Sequence, residues 1–217
     1  MKYLCQNAQT QEYLQSWAGD KTLITANFFF WRPGTTFQRS LDGLRRALLF
    51  TIMDEIPSLV QVGFPKQWSL AVEDRPCQIH GRDVEAALKL VLDQSDLLAA
   101  HKVAFFIDGL DEFEGDHDHM TKLLLRWVRE YKDGVKLCVS NREWEIFRQR
   151  LVGCPGIRLQ DITVRDIKSY VNHELSENEE FERFALTSPN ILGLVEQITA
   201  KAEGVFLWVK ITLRGLK

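Results

Sequence analysis

Apolar runs and helix-spaced apolar positions alternate along most of the chain. The five residues Val103–Ile107 form an uninterrupted apolar run, which is typical of a strand buried on both faces of a parallel sheet. The β-branched and aromatic segment Lys21–Trp31 predicts a strand as well. Two more apolar segments, Val135–Ser140 and the short Ile157–Leu159, complete the set of predicted strands.

Before and between these strands, apolar residues recur at the spacing of an amphipathic helix. The predicted helices cover Met1–Trp17, Phe37–Ile56, Asp83–Leu92, His119–Tyr131 and Glu143–Leu151, with Asp83 as an N-cap. The proline-containing segment Gly63–Gly81 is predicted to be a loop-rich connection. Strands that alternate with helices indicate right-handed crossovers and a parallel sheet, so the predicted fold class is α/β.

The pattern changes to helices only after Gln160. The predicted helices are Val164–Leu175, with Thr163 as its cap, followed by Ser188–Ala200 and Gly204–Leu216. We therefore predict an α/β domain over residues 1–160 and a small helical subdomain over residues 161–217. The acidic stretch Glu177–Glu182 is predicted to be a solvated surface.

Composition narrows the function classes. A hydrophobic content of 45% supports a sizeable core, and a formal net charge of −3 favours neither a nucleic-acid nor an anionic-membrane partner. The chain contains no run of about 18 apolar residues, so we predict no membrane span. The four cysteines form no C-x-x-C pair, so they indicate reduced thiols in a cytoplasmic protein.

The central apolar run ends in a cluster of carboxylates, and the full segment reads VAFFIDGLDEF. A buried strand that ends in Asp, with acids three and four residues later, is the Walker B pattern of nucleotide triphosphatases. Asp108 would hold Mg²⁺ through a coordinated water, and Asp111 or Glu112 would orient the attacking water. The alternative is a core strand that runs into an acidic, solvated turn.

Arg142 stands just past the end of the next predicted strand. Carboxyl ends of parallel strands share one sheet edge, so its guanidinium could lie beside Asp108 and sense a γ-phosphate. A salt bridge to Glu143, Glu145 or Asp111 explains the same position equally well.

The run Asp116-His117-Asp118-His119 offers four possible metal ligands in succession. Adjacent side chains point in different directions and cannot all converge on one ion. We therefore interpret the run as a capped, solvated helix start.

Five segments, taken in order, carry a family resemblance: FFFWRPGTTFQRSLDGLRRALLF, KVAFFIDGLDEF, VKLCVSNREWEIF, IRLQDITVRDIKSYV and ITAKAEGVFLWVKITLRGL. Together they resemble the NACHT domain of fungal NOD-like receptor proteins, which belong to the STAND class of signalling P-loop NTPases. The resemblance covers nearly the whole chain. It implies a three-layer α/β/α core with a parallel sheet, followed by a helical lid.

The resemblance also implies a function. Such domains bind ATP or GTP with Mg²⁺ as a conformational switch for oligomerisation and signalling, in non-self recognition or cell death, within longer repeat-containing proteins. By resemblance Asp108 is the magnesium carboxylate, Asp111 and Glu112 are the hydrolytic acids, and Arg142 is the sensor arginine. The implied partners are other receptor proteins or further copies of the chain.

The phosphate-binding loop is the main departure. The chain contains no G-x-x-x-x-G-K-[ST], whose backbone N–H groups and lysine cradle phosphates. In the family this loop precedes a helix that resembles the segment beginning MKYL, so we expect a chain truncated just after the loop that also lacks its first central strand. A degenerate family member is the alternative. Nucleotide binding and hydrolysis by these 217 residues are then expected to be deficient, and a non-enzymatic interaction or oligomerisation module is the alternative function.

Overall fold

The computed structural model of the chain describes residues 1–177 and 192–215. The chain forms two compact units, Met1–Val152 and Gly153–Lys217. The helices of the first unit are α1 (Lys2–Gln6), α2 (Ala8–Ala18), α3 (Leu41–Glu55), α4 (Leu59–Gly63), α5 (Pro65–Val72), α6 (Gly81–Leu92), α7 (Ser95–Ala100), α8 (His117–Glu130) and α9 (Glu145–Arg150). Its strands are β1 (Thr22–Phe29), β2 (His101–Asp108) and β3 (Val135–Val139).

The three strands form one parallel sheet in the order β1-β2-β3. β1 runs alongside the whole of β2, from Thr22 opposite His101 to Phe29 opposite Asp108. β3 pairs with the other edge of β2, from Val103 opposite Val135 to Ile107 opposite Val139. The α/β class and the parallel sheet predicted from the sequence are therefore confirmed.

β2 takes the central position because its side chains are apolar on both faces. Residues Val103–Ile107 are all buried, with at most 4% of any residue exposed. Alternation along the strand sends Val103, Phe105 and Ile107 into the main core, together with Ile24 and Phe28 of β1. Apolar residues of α3, α6 and α8 complete that core.

The opposite face of the sheet carries more polar side chains. The strand register places Thr25, Lys102 and Lys136 on this face. The ring of Trp17, on α2, contacts both lysines, with Nζ atoms 4.9 and 4.5 Å from its centroid. Cation–π contacts of this kind fix α2 against the amino-terminal half of this face.

Helix α8 begins within the Asp-His-Asp-His run. Asp116 is its N-cap, and Oδ1 accepts hydrogen bonds from the backbone N–H groups of Asp118 and His119 at 2.9 and 3.1 Å. The interpretation of the Asp-His-Asp-His run as a capped helix start is confirmed, although the helix begins at His117 rather than His119.

Several predicted boundaries in the first unit are wrong. Asn7 is extended and its side chain caps α2, so the predicted helix Met1–Trp17 is two helices. The predicted connection Gly63–Gly81 contains α5, which starts at Pro65 because proline suits the first turn of a helix. Asp83 lies inside α6, where its carboxylate accepts the His80 backbone N–H, rather than at its N-cap.

All the regular secondary structure in the described part of the second unit is helical. It contains α10 (Leu159–Ser176), α11 (Leu192–Ala202) and α12 (Phe206–Arg214). Buried apolar side chains from all three helices, including Ile167, Ile198 and Val209, form a separate core. The part of the acidic stretch beyond Glu177 and the start of the helix predicted at Ser188 lie outside the described residues.

The predicted strand Ile157–Leu159 is wrong. Ile157 and Arg158 are irregular, and Leu159 is the first residue of α10. Thr163 therefore lies inside the helix, where its hydroxyl donates to the Leu159 carbonyl, rather than at a cap. A three-residue apolar run is too short to distinguish a strand from the start of an amphipathic helix.

No helix among the described residues is both long enough and apolar enough to cross a membrane.

Asp93 joins the ends of α6 and α8. Its carboxylate accepts hydrogen bonds from Lys89 Nζ and the Tyr131 hydroxyl, each at 2.6 Å. These bonds, the Lys89 bond first, hold the pKa of Asp93 below its ordinary value. A carboxyl with a depressed folded-state pKa contributes stability that is present above its unfolded pKa and is lost as the pH falls through the folded pKa.

We predict that Tyr131→Phe lowers the free energy of unfolding by about 1 kcal/mol at pH 7, because one hydrogen bond to Asp93 is lost. The difference from wild type is expected to be complete above the ordinary aspartate pKa of about 4 and to shrink as the pH falls below it, because the carboxylate becomes protonated only as the pH passes through the lowered pKa of Asp93. Urea unfolding at a series of pH values measures both quantities. Tyr13→Phe, at an exposed tyrosine, is the control that should change little, and a pH-independent loss in Tyr131→Phe would contradict the assignment.

Candidate functional site

The carboxyl ends of the three strands meet at one edge of the sheet. The backbone N–H of Phe30, just after β1, donates to the Asp108 carbonyl at 3.0 Å. Ser140, just after β3, donates its backbone N–H to the Ile107 carbonyl at 3.0 Å. Open parallel sheets bind their ligands outside this edge. Asp108 lies at this edge, at the carboxyl end of the central strand, and its role in binding a ligand stays a prediction.

A glycine turn directs the chain away from this edge. Gly109 has φ +70° and ψ +47°, a left-handed conformation that favours glycine. A Cβ at this position would also lie 3.3 Å from the Phe30 carbonyl oxygen. The turn leads into a 3₁₀ segment, Leu110–Glu112, and Leu110 is fully buried there. The DGLDE sequence is thus a tight turn that separates Asp108 from the two following acids.

The Asp108 carboxylate is half-buried and is held by the neighbouring strand. The Ser140 hydroxyl donates a hydrogen bond to Asp108 Oδ1. The same hydroxyl oxygen accepts the Gly109 backbone N–H at 3.0 Å. The described residues donate no other hydrogen bond to this carboxylate. One carboxylate oxygen is therefore available to a ligand or to the water shell of a metal ion.

Asp108 lines a cleft of about 520 Å³ between the sheet and the amino-terminal helices. Strand β1 contributes its side chains on the more polar face, and α1 and α2 contribute the opposite wall. The other lining residues are Lys2, Cys5, Gln6, Gln11, Thr25, Asn27 and Phe29. A cleft of this size suits a small ligand, and its lining combines amides and a hydroxyl with one cation and one anion.

Asp111 is buried, and its carboxylate contacts both the backbone and the side chain of Arg142. Its Oδ1 accepts the Arg142 backbone N–H at 3.0 Å, and its Oδ2 lies 3.3 Å from Arg142 Nε. Only 7% of the Asp111 side chain is exposed, against 75% for Arg142. The salt bridge is one of the two readings that the sequence left open for Arg142. Its role as a phosphate sensor stays a prediction.

Glu112 is also engaged by the backbone. Its Oε2 accepts the Arg32 N–H at 2.9 Å, which ties the turn to the segment after β1. Both acids predicted to orient a water therefore hold neighbouring loops in this structure. Their hydrolytic role stays a prediction.

Two thiols lie near Asp108. Burial raises the pKa of the Cys138 thiol, while the chain amino terminus lowers it and Asp108 raises it further. Burial also raises the pKa of Cys5, against a lowering by the same amino terminus. Both thiols are therefore poor nucleophiles near neutral pH, because the thiolate is the reactive form.

Sequence reasoning missed Ser140 and the cleft. A polar residue directly after β3 was the available signal for Ser140, and Thr25 and Asn27 are polar positions on one face of an otherwise apolar strand. The remaining cleft residues come from α1 and α2, and the packing of α2 against β1 and of α1 against α2 brings them to Asp108. No local sequence pattern predicts that packing.

A protein-family model described as nephrocystin 3, N-terminal, matches residues 2–142. The match spans well over half of the chain and includes Asp108, Asp111, Glu112 and Arg142. The chain belongs to this family. The nephrocystin 3 N-terminal region is associated with NACHT domains, which agrees in broad terms with the resemblance found in the sequence. Searches of the curated proteins and of the solved structures found no significant match.

The turn after Asp108 generates a stability prediction. We expect Gly109→Ala to lower the free energy of unfolding by about 1–2 kcal/mol, the cost of a left-handed conformation for a residue with a Cβ. Gly109→Asn is the matched control and should lose less, because asparagine tolerates this conformation better. Urea unfolding at neutral pH measures both. A Gly109→Ala variant as stable as wild type would show that the turn relaxes freely.

Proposed function

We propose that this member of the nephrocystin 3 N-terminal family is the core of a STAND-class switch that responds to ATP or GTP with Mg²⁺. The observation that carries the proposal is the position of Asp108. Its carboxylate ends the central strand of a parallel sheet, is held on one oxygen and lines a cleft. This combination is what a magnesium-associated carboxylate requires.

The residues around Asp108 suit a hard cation. Mg²⁺ prefers oxygen ligands and is commonly bound through one or two carboxylates together with waters and substrate phosphates. No group of three or more His, Cys, Asp or Glu side chains among the described residues is placed to hold a metal. Asp108, with the oxygens of Asn27 and Thr25 in the same cleft, fits an ion that takes its remaining ligands from a nucleotide. When bound, the ion would neutralise negative charge on the nucleotide phosphates.

Signalling by such a switch depends on binding rather than on turnover. Asp111 and Glu112 hold Arg142 and the Arg32 segment, so a change at the phosphate edge would reach both loops directly. We infer that Arg142 exchanges its exposed contact with Asp111 for a γ-phosphate, and that the helical second unit acts as the lid. We further propose that the protein is a cytoplasmic, fungal NOD-like receptor that oligomerises in non-self recognition or cell death.

Nucleotide affinity is the test. We expect calorimetric titration of the 217-residue chain with Mg·ATP or Mg·GTP to give no saturable micromolar binding, because the chain contains no G-x-x-x-x-G-K-[ST]. A chain extended ahead of Met1 by a segment that carries this motif should bind in the micromolar range, and Asp108→Asn in that chain should weaken binding in the presence of Mg²⁺ much more than in its absence.

Micromolar binding to the 217-residue chain alone would contradict the need for the loop. An extended chain in which Asp108→Asn leaves the Mg²⁺ dependence unchanged would contradict the assignment of Asp108.

A non-enzymatic interaction or oligomerisation module is the second candidate. Exposed apolar side chains on α12 favour it, since Leu207 and Ile211 are 66% and 61% exposed in the described structure. This function makes no use of a metal. We therefore expect Asp108→Asn to leave self-association unchanged in analytical ultracentrifugation if this candidate holds, and a nucleotide-dependent shift in association that Asp108→Asn removes would favour the switch.

A further inference from the structure

Ser140 joins β3 to the turn after β2 through four hydrogen bonds. Its backbone N–H donates to the Ile107 carbonyl at 3.0 Å, and its own carbonyl accepts the Leu110 N–H at 2.9 Å. Its hydroxyl accepts the Gly109 N–H at 3.0 Å and donates to Asp108 Oδ1. Every residue from Ile107 to Leu110 is thus bonded to this one serine.

The directions of these bonds fix the hydroxyl proton. An N–H group donates to the Ser140 oxygen, so that oxygen has its proton free to donate, and the acceptor is the Asp108 carboxylate. Gly109 cannot move away from this arrangement easily, because its left-handed turn is closed by the Glu112 N–H donating to the Gly109 carbonyl at 2.8 Å. The Ser140 hydroxyl, which donates to the Asp108 carboxylate, is therefore itself fixed by the Gly109 N–H.

From this geometry we propose that Ser140 is a positioning residue for the metal-binding carboxylate. Its hydroxyl occupies Oδ1 of Asp108 and turns Oδ2 toward the cleft, where a divalent cation with its water shell can bind. The inference rests on the proposed role of Asp108 as the magnesium carboxylate. It adds a residue that the family resemblance did not assign and that never touches the cation.

An outer-shell donor of this kind changes metal affinity in two ways. It removes the rotational freedom of the carboxylate before the cation arrives, and it satisfies the oxygen that the cation leaves unused. Loss of such a partner commonly weakens metal binding by about 10- to 100-fold. Because Asp108 is only half-buried and would bind through water, we expect the lower end of that range.

Paramagnetic broadening by Mn²⁺ tests the inference on the chain as it is. In a ¹⁵N-labelled chain, added Mn²⁺ should broaden the backbone amide signals of Gly109 and Ser140 before those of distant residues. Ser140→Ala should move the midpoint of this effect to about tenfold higher Mn²⁺. Ser140→Thr keeps the hydroxyl and should stay within about threefold of wild type, because it leaves the outer-shell donor in place. A role in stability alone would lower the melting temperature without moving the midpoint.

The spectrum before Mn²⁺ addition shows whether each variant is folded. If Ser140→Ala loses the native spectrum, Ser140→Cys takes its place with the same expectation, since the thiol is close in shape but a weak donor. Equal midpoints for wild type and the variant without the hydroxyl would overturn the inference. So would equal weakening by Ser140→Ala and Ser140→Thr.

Asp108→Asn separates this inference from the function on which it rests. Loss of the localised broadening in Asp108→Asn, with no effect of Ser140→Ala, would leave the metal site and reject the positioning role. Broadening that is absent in wild type, or unchanged in Asp108→Asn, would reject the metal site and the positioning role together.

Discussion

Parallel pairing of β2 on both of its edges is the constraint on which the first unit depends. A strand whose five central residues are buried cannot leave backbone N–H and C=O groups unpaired without a large cost in free energy. β1 and β3 satisfy these groups in a register that ends all three strands at the same edge. Asp108, Phe30 and Ser140 meet there as a result of the pairing.

One face of the sheet packs into the main core, and the other face lines the cleft. One face, through Phe105, Ile107 and Phe28, forms the main core with α3, α6 and α8. The other face carries Thr25, Asn27 and Asp108 beneath the amino-terminal helices and leaves the cleft open. Because the apolar face supplies the cohesion, the polar face can keep carboxylate and amide groups accessible at little cost to the fold.

The sequence predicted the parts of this arrangement that depend on local pattern. The apolar run Val103–Ile107 predicted a buried strand, and the structure has that strand and ends it at Asp108. Strand order, the cleft and the Ser140 hydrogen bonds arise from tertiary packing, which no local period encodes. The errors have a physical reason too. The extended Asn7 interrupts the predicted first helix and its side chain caps the start of α2, and Ile157–Leu159 was too short a run to specify a strand.

The proposed switch depends on Asp108 binding a divalent cation at the carboxyl end of β2. Crystals of the chain soaked in Mn²⁺ and measured at the manganese absorption edge test this binding, because the anomalous signal locates the ion without reference to activity. We expect a peak in the cleft within about 4–5 Å of the Asp108 carboxylate, the distance of an ion bound through one water. Manganese peaks found only elsewhere on the molecule would contradict it.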